Sequence, residues 1–347
     1  MQSPRETVSR WVEGYRQTAL IAAACRTGLL DSLRPGPTSA ERLATERGWP
    51  VETLRRLLRG LELLGVVSRG AGAGAGPDPT APLYGLTDAG ALLCADAAGP
   101  SHAYARLSAE QYVPAWMQID AALATTKTPF EHAFGSPVWE HRRAHPAAGT
   151  LFNDWLFRQS GGISAQLVAA LDVGAARLVA DIGGGEGALL LALLKAHPEL
   201  RGLLADQPAV AEAARQAIAH AGLTQRCETA GVDFFQSVPP GCDLYLLKSV
   251  LHDWNDHDCI RILRVIGEAL AGHARLLVIE RLVPDNPQHD PETVWLDLHM
   301  LCVTGGRERT LEEYRGLMGA SGLSLHRVTE TGGPFRVLEV LREQVAS

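Results

Sequence analysis

The chain has 347 residues, of which 46 % are hydrophobic and 20 % charged, a globular balance long enough for two domains and a helical connector. Its net charge of −7 supplies no global attraction to nucleic acid or anionic membrane. The polar start MQSPRETVSRWVEG is no secretory signal, and no apolar run approaches the roughly 18 residues of a membrane span. The six cysteines form no C-x-x-C pair, which argues against a disulfide framework or zinc site and fits a reducing cytoplasm.

In chain order, residues 8–33 place Val8, Trp11, Val12, Tyr15, Ala19, Ala22 and Ala23 at helical spacing. Ser39 is positioned to cap a helix, Gly48, Trp49 and Pro50 make a turn, and residues 52–64 read as a second helix. Val66 and Val67, the stretch GAGAGAGPDPTAP and then LYGLTDAG predict a β-hairpin wing with a long flexible tip. This winged-helix pattern makes a DNA-binding regulator a rival, with Arg55, Arg56 and Arg59 on the second helix. Leu54, Leu57, Leu58, Leu61 and Leu64 dominate that helix, however, and the wing carries little positive charge beyond Arg69. A protein–protein role fits better.

Residues 100–171 are helical and rich in aromatics, most of which read as core. The stretch FNDWLFRQSGGIS clusters three of them immediately before the second half. Trp155 and Phe157, with Trp116 as a further candidate, are placed to stack on a flat ligand.

The second half opens on LVADIGGGEGALLLALL, residues 178–194. An apolar strand, a glycine turn and an apolar helix in that order let backbone approach a nucleotide-type ligand, because glycine has no Cβ. Gly183, Gly185 and Ala188 satisfy G-x-G-x-x-A, with Asp206 at about the expected 20 residues beyond, as in a dinucleotide site. Asp181 with the following glycines equally gives D-x-G-x-G-x-G, which is similar to motif I of S-adenosylmethionine (SAM)-dependent methyltransferases.

Strands then alternate with helices: 203–205 ending at Asp206, helix 208–221, 228–232 ending at Asp233, 244–250 ending near His252, helix 255–271, and 276–279 ending at Glu280. This predicts an α/β, Rossmann-like, doubly wound parallel sheet with right-handed crossovers. LSLHRVTET and FRVLEVLR, joined through Gly332, Gly333 and Pro334, form a hairpin, so the last strand is antiparallel. Ligands bind at strand C-termini in such sheets. There Asp206 can accept ribose hydroxyls and Asp233 an adenine amino group, with Phe234 on the ring. Each carboxylate can instead be a helix cap.

The run Lys248 to Asp258 carries the chemistry. A phenol, with a pKa of about 10, is a poor nucleophile until its proton leaves, and His252, with an unperturbed pKa of about 6.5, suits a general base near neutral pH. A metal site is the competing reading of the His and Asp cluster, but Asn255 and Asp258 match a helix N-cap with an acidic first turn. Trp254 is either core or a wall against an adenine.

The segments DIGGGEG, LLADQP, VDFF, LLKSVLHDWNDHDCIRIL, VIERLVPD and GGRERTLEEY occur in the order seen in plant caffeate-type O-methyltransferases and their bacterial natural-product relatives, which the chain resembles over essentially its whole length. The resemblance implies a winged-helix dimerisation domain (1–100), a helical acceptor-pocket and linker segment (101–170) and a SAM-binding catalytic domain (171–347). It implies His252 as the base, with Glu280 and Glu308 orienting it and favouring its charged form. Asp181, Gly183, Gly185, Asp206, Asp233, Phe234, Lys248 and Trp254 would line the SAM site; Trp116, Asn153, Trp155, Phe157 and Asp253 would face the acceptor. The expected protein is a homodimeric, cytoplasmic, metal-free O-methyltransferase that takes SAM to S-adenosylhomocysteine. Its acceptor is an aromatic hydroxyl of polyketide, phenazine or quinone type; nucleic acid and membrane are not among its partners. The rival readings are a SAM-binding hydroxylase or decarboxylase of natural-product biosynthesis and a NAD-linked oxidoreductase.

Overall fold

The computed structural model describes residues 3–70 and 81–343. By its contacts the chain divides into two units, Met1–Pro114 with Ala147–Trp155, and Ala115–Pro146 with Leu156–Ser347. Residues 101–170 are therefore shared between the units.

In the first unit the helix Pro4–Glu13 is capped by Ser3 through a reciprocal bond with Glu6, and the helix Tyr15–Thr27 follows after Gly14. The apolar stripe expected to pack is open to solvent: Val8, Trp11, Val12 and Tyr15 are 51–70 % exposed. Leu54, Leu58 and Leu61 of the helix Val51–Leu63 join Leu30, Leu43, Val66 and Tyr84 in the core of this unit. β1 (Thr38–Ser39), β2 (Val67–Gly70) and β3 (Leu83–Leu86) form an antiparallel sheet in the order β1-β3-β2. The β2–β3 pairing is the expected wing; its tip, 71–80, lies outside the described residues. Arg55 pairs with Glu41 and Glu52, and Arg69 with Glu62, so part of the positive charge of the second helix and the wing is already matched.

The second unit is built on a seven-stranded sheet of β4 (Leu178–Ile182), β5 (Arg201–Asp206), β6 (Cys227–Gly231), β7 (Leu244–Lys248), β8 (Arg275–Arg281), β9 (Leu323–Glu330) and β10 (Phe335–Arg342). The order is β6-β5-β4-β7-β8-β10-β9, parallel through β8, with β10 antiparallel to both neighbours. Strands such as LYLLK are apolar on both faces because helices cover both, as parallel sheets require. One apolar cluster gathers Ile262, Leu263 and Ile266 under Tyr245 and Leu247; the other gathers Leu189, Leu190 and Leu193 under Leu244 and Leu246. The strand order reverses between β4 and β7, so their C-terminal ends open a crevice at that point.

Candidate active site

β4 runs into a turn in which Gly183, Gly185 and Gly187 all hold positive φ (68°, 60° and 87°), a backbone that only glycine adopts without strain. Gly187 begins the helix Ala188–Ala196 without a side-chain cap, which leaves its first N–H groups for a ligand. The Asp206 carboxylate, at the end of β5, accepts from Gly185 N (2.8 Å) and Gln207 N (2.6 Å), tying strand to turn. Asp233 is exposed, and its oxygens accept from Phe235 N (3.0 Å) and Gln236 Nε2 (2.7 Å). Its contacts are therefore those of a local cap, one of the two readings of the sequence. Phe234 lies beside Gly183 and meets Trp254 edge-on at 6.1 Å.

A cleft over the turn is lined by Leu156, Phe157, Asp181, Gly183, Gly185 and Lys248, among others. Phe157, expected on the acceptor side, thus lies with the glycine turn. Burial lifts the Asp181 carboxyl to about 7; Lys248 pulls against this and Asp206 adds to it. Burial likewise raises Asp206. The Lys248 ammonium is lowered by burial despite Glu280 and Asp181, and it lies over the Phe335 ring at 5.2 Å. A buried and a half-buried carboxylate against one lysine suit a ligand that brings hydroxyl donors and positive charge, and SAM carries both.

β7 exits through Ser249, whose φ of 52° is the one positive value on a non-glycine among the described residues. Such a conformation costs about 1–2 kcal/mol, and here it turns the chain into the single helical turn Leu251–Asp253 that carries His252. The His252 Nδ1 donates to Glu308 Oε1 at 2.7 Å, while Glu280 Oε2 stands 3.9 Å away. Glu280 instead accepts from Val250 N and Leu251 N through Oε1. The two glutamates thus divide the work: Glu308 orients the ring and Glu280 holds the turn beneath it. On the other side Asp253 Oδ1 lies 3.9 Å from Nε2.

These charges move the imidazole away from its unperturbed value of about 6.5, in the direction expected of glutamates that favour its charged form. Burial pulls its pKa down, but Glu280, Glu308 and Asp253 outweigh burial and lift it to about 10. Burial raises Glu280 to about 7 and Asp253 to about 6, each opposed by the His252 charge. Glu280 Oε2 and Glu308 Oε2 are buried without a hydrogen-bond partner. His252, Glu280 and Glu308 offer ligand atoms within 4.8 Å of one another, the one such grouping among the described residues.

In the same unit Trp116 donates from Nε1 to Nδ1 of His299 (3.1 Å) and stacks on its ring. Burial, with the Arg142 and His252 charges, pushes His299 down to about 4, so the ring is neutral and its other nitrogen carries the proton. His299 was not singled out from the sequence; its place on the helix Pro291–Val303 gives it no motif. Asn153 and Trp155 belong to the first unit, where both are half-buried and Trp155 stacks on Tyr104 at 5.6 Å.

A parallel sheet ending in an antiparallel strand, a glycine turn at its switch point and a carboxylate-flanked histidine at the neighbouring strand end define a SAM-dependent methyltransferase. The chain belongs to the O-methyltransferase family: the O-methyltransferase domain matches residues 116–324 and the O-methyltransferase dimerisation domain residues 9–96. It is 38 % identical to the mitomycin biosynthesis 6-O-methyltransferase of Streptomyces lavendulae, over 97 % of this chain and 94 % of that one. Among solved structures it is similar to LaPhzM (34 % identity, TM-score 0.90, 99 % and 100 % of the two chains). It is also similar to NcsB1, an O-methyltransferase from neocarzinostatin biosynthesis solved with SAM and 2-hydroxy-5-methyl naphthoic acid (28 %, TM-score 0.79, 94 % and 96 %). The protein is a SAM-dependent O-methyltransferase.

Proposed function

We propose that this enzyme methylates a hydroxyl of an aromatic secondary metabolite of polyketide, phenazine or quinone type, with His252 taking the hydroxyl proton. The observation that carries this reading is the 2.7 Å contact of His252 with Glu308 at the strand end beside the glycine turn. The mitomycin enzyme and the naphthoic acid complex of NcsB1 support the acceptor class.

SAM would be held by the glycine turn (Gly183, Gly185), by Asp206 at its ribose, and by Asp181 and Lys248 in the cleft. Phe234 and Trp254 would flank its adenine, and Asp233 would contact the adenine through lone pairs its own turn leaves over. When bound, it supplies an electrophilic methyl group on a sulfonium. The protein's task is then orientation and proton removal. Glu308 fixes the ring, Asp253 stands on its Nε2 side, and the Trp116–His299 pair offers a flat apolar wall. Phe157, in the cleft over the glycine turn, would face the cofactor and not the acceptor. The scheme calls for no metal, because the methyl group would arrive already activated on the sulfonium.

The dimerisation domain supports a homodimer, and the open stripe of Val8, Trp11, Val12 and Tyr15 is the surface we assign to it. None of the helices described is long and apolar enough to cross a membrane. The six cysteines are free thiols, in keeping with a cytoplasmic location.

Incubation with SAM and a panel of hydroxylated naphthoates, phenazines and quinols, read by mass spectrometry, is expected to give products heavier by one CH₂ with matching S-adenosylhomocysteine. Consumption of SAM without a methylated product would overturn the reading.

Glu308→Gln separates charge from shape. Loss of the carboxylate lowers the imidazolium pKa by about 1–3 units. Because turnover requires that proton to leave, the rising limb of kcat/KM moves to lower pH, and the plateau falls about 10- to 100-fold with the weaker, less firmly held base. A limb that stays in place would detach Glu308 from the titrating ring.

A further inference from the structure

We propose that Arg309 is the positioning residue for His252: its guanidinium grips the carbonyls on both sides of the His252–Asp253 pair and so sets the imidazole against Glu308. The argument rests on His252 as the base.

The turn Leu251–Asp253 is one helical turn long, and a single turn holds its own geometry weakly, since it fixes several residues for only two backbone hydrogen bonds, Asp253 N to Val250 O and Trp254 N to Leu251 O. Arg309, wholly buried, supplies what the turn lacks. Its Nη1 donates to Leu251 O (3.0 Å) and Arg307 O (3.3 Å); its Nη2 donates to Trp254 O (2.8 Å) and Asp256 Oδ1 (2.7 Å); its Nε donates to the same Asp256 oxygen (3.0 Å). All five donors of the guanidinium are used. Asp256, whose side chain is 57 % exposed, matches the charge from the solvent edge.

Three consecutive residues thus hold three parts of one turn. Arg307 N bonds the His252 carbonyl at 2.9 Å, Glu308 bonds the His252 ring, and Arg309 bonds the flanking carbonyls. The gripping segment is itself anchored, by Glu308 N on Asp297 Oδ1 (2.9 Å) and by Val283 N on Arg309 O (3.0 Å). Only a planar fork spans both carbonyls and the carboxylate at once. A lysine ammonium is a point charge that reaches one or two of them. With that grip loosened, the ring keeps its chemistry and loses its address, and displacement of a catalytic group by about 1 Å costs about 100-fold in rate.

The test uses the full-length enzyme. Arg309→Lys is expected to lower kcat by about 10- to 100-fold while calorimetric SAM affinity stays near that of the parent. In a His252→Ala background the same substitution is expected to cost nothing further, since no ring remains to be placed. Asp256→Asn, on the solvent side and less demanding of the fold, is expected to show a smaller loss that likewise vanishes in the His252→Ala background. Wild-type kcat in Arg309→Lys, or equal losses in both backgrounds, overturns the proposal and leaves the base reading standing. Full turnover in His252→Ala alone overturns the base reading, and this proposal with it.

Discussion

Turnover in His252→Ala falls by about three orders of magnitude, while SAM binding is little changed, because residue 252 is not among those that line the cleft over the glycine turn. The size of the loss follows from proton affinity. A histidine at its ordinary pKa of about 6.5 would take a proton from a phenol near 10 against a gap of about 3.5 units, close to 5 kcal/mol. Glu308, Glu280 and Asp253 lift the ring to about 10 and close that gap. In consequence the resting ring is protonated at neutral pH. The productive complex, a phenol on neutral imidazole or a phenolate on imidazolium, forms only after one proton has gone to solvent. Acceptors with acidic hydroxyls arrive already ionised, so they should lose far less in His252→Ala than weakly acidic ones. Equal losses across a series of acceptor pKa values would mean that the ring does not take the proton.

The same ring ties stability to pH. Its folded pKa, about 10, lies above the unfolded 6.5, so its contribution is fully present below 6.5 and fades as pH rises toward 10. The stability gap between the parent and His252→Gln should narrow across that window.

Much of the architecture was legible because periodicity and glycine placement report local backbone demands directly. The strand 178–182, the glycine turn, the β/α alternation and the Asn255 cap on Asp258 N are all local features, and each needed only neighbours in sequence. Contacts across long sequence distances were harder to read. The stretch GGRERT was noted for Glu308, yet nothing in it shows that Arg309 closes on carbonyls 55 and 58 positions earlier. Trp155 and Phe157 are two residues apart on one helix, and spacing alone could not show that Trp155 joins the first unit and Phe157 the glycine cleft. Spacing also marks Val8, Trp11, Val12 and Tyr15 as one apolar face without saying whether the same chain covers it. The direction of the histidine's shift came with the two glutamates, but its size did not: it depends on how closely three carboxylates approach the ring, two of them 28 and 56 positions away.

Gly306→Ala is the second substitution expected to abolish most activity. A Cβ at this position would stand 2.0 Å from His252 O, 2.4 Å from the Asp253 carbonyl carbon and 2.7 Å from Trp254 N. All three are backbone atoms, so no side-chain rotation relieves the overlap, and the gripping segment must lift away from the histidine turn. That movement breaks the Arg307 N bond to His252 O and carries Glu308 off Nδ1. Overpacking of this kind costs about 1–3 kcal/mol of stability, and the displaced ring about 100-fold in kcat, again with the SAM cleft intact. Gly316→Ala supplies the control: it lies in the helix Leu311–Ala320 with nothing within 4 Å of the added methyl, so helix propensity alone should leave it as stable as the parent or more so, by up to about 1 kcal/mol. Thermal melts, kcat and SAM titrations on the two variants side by side check this. Parental turnover in Gly306→Ala would show that the two segments can separate without moving the base, which the packing between them denies.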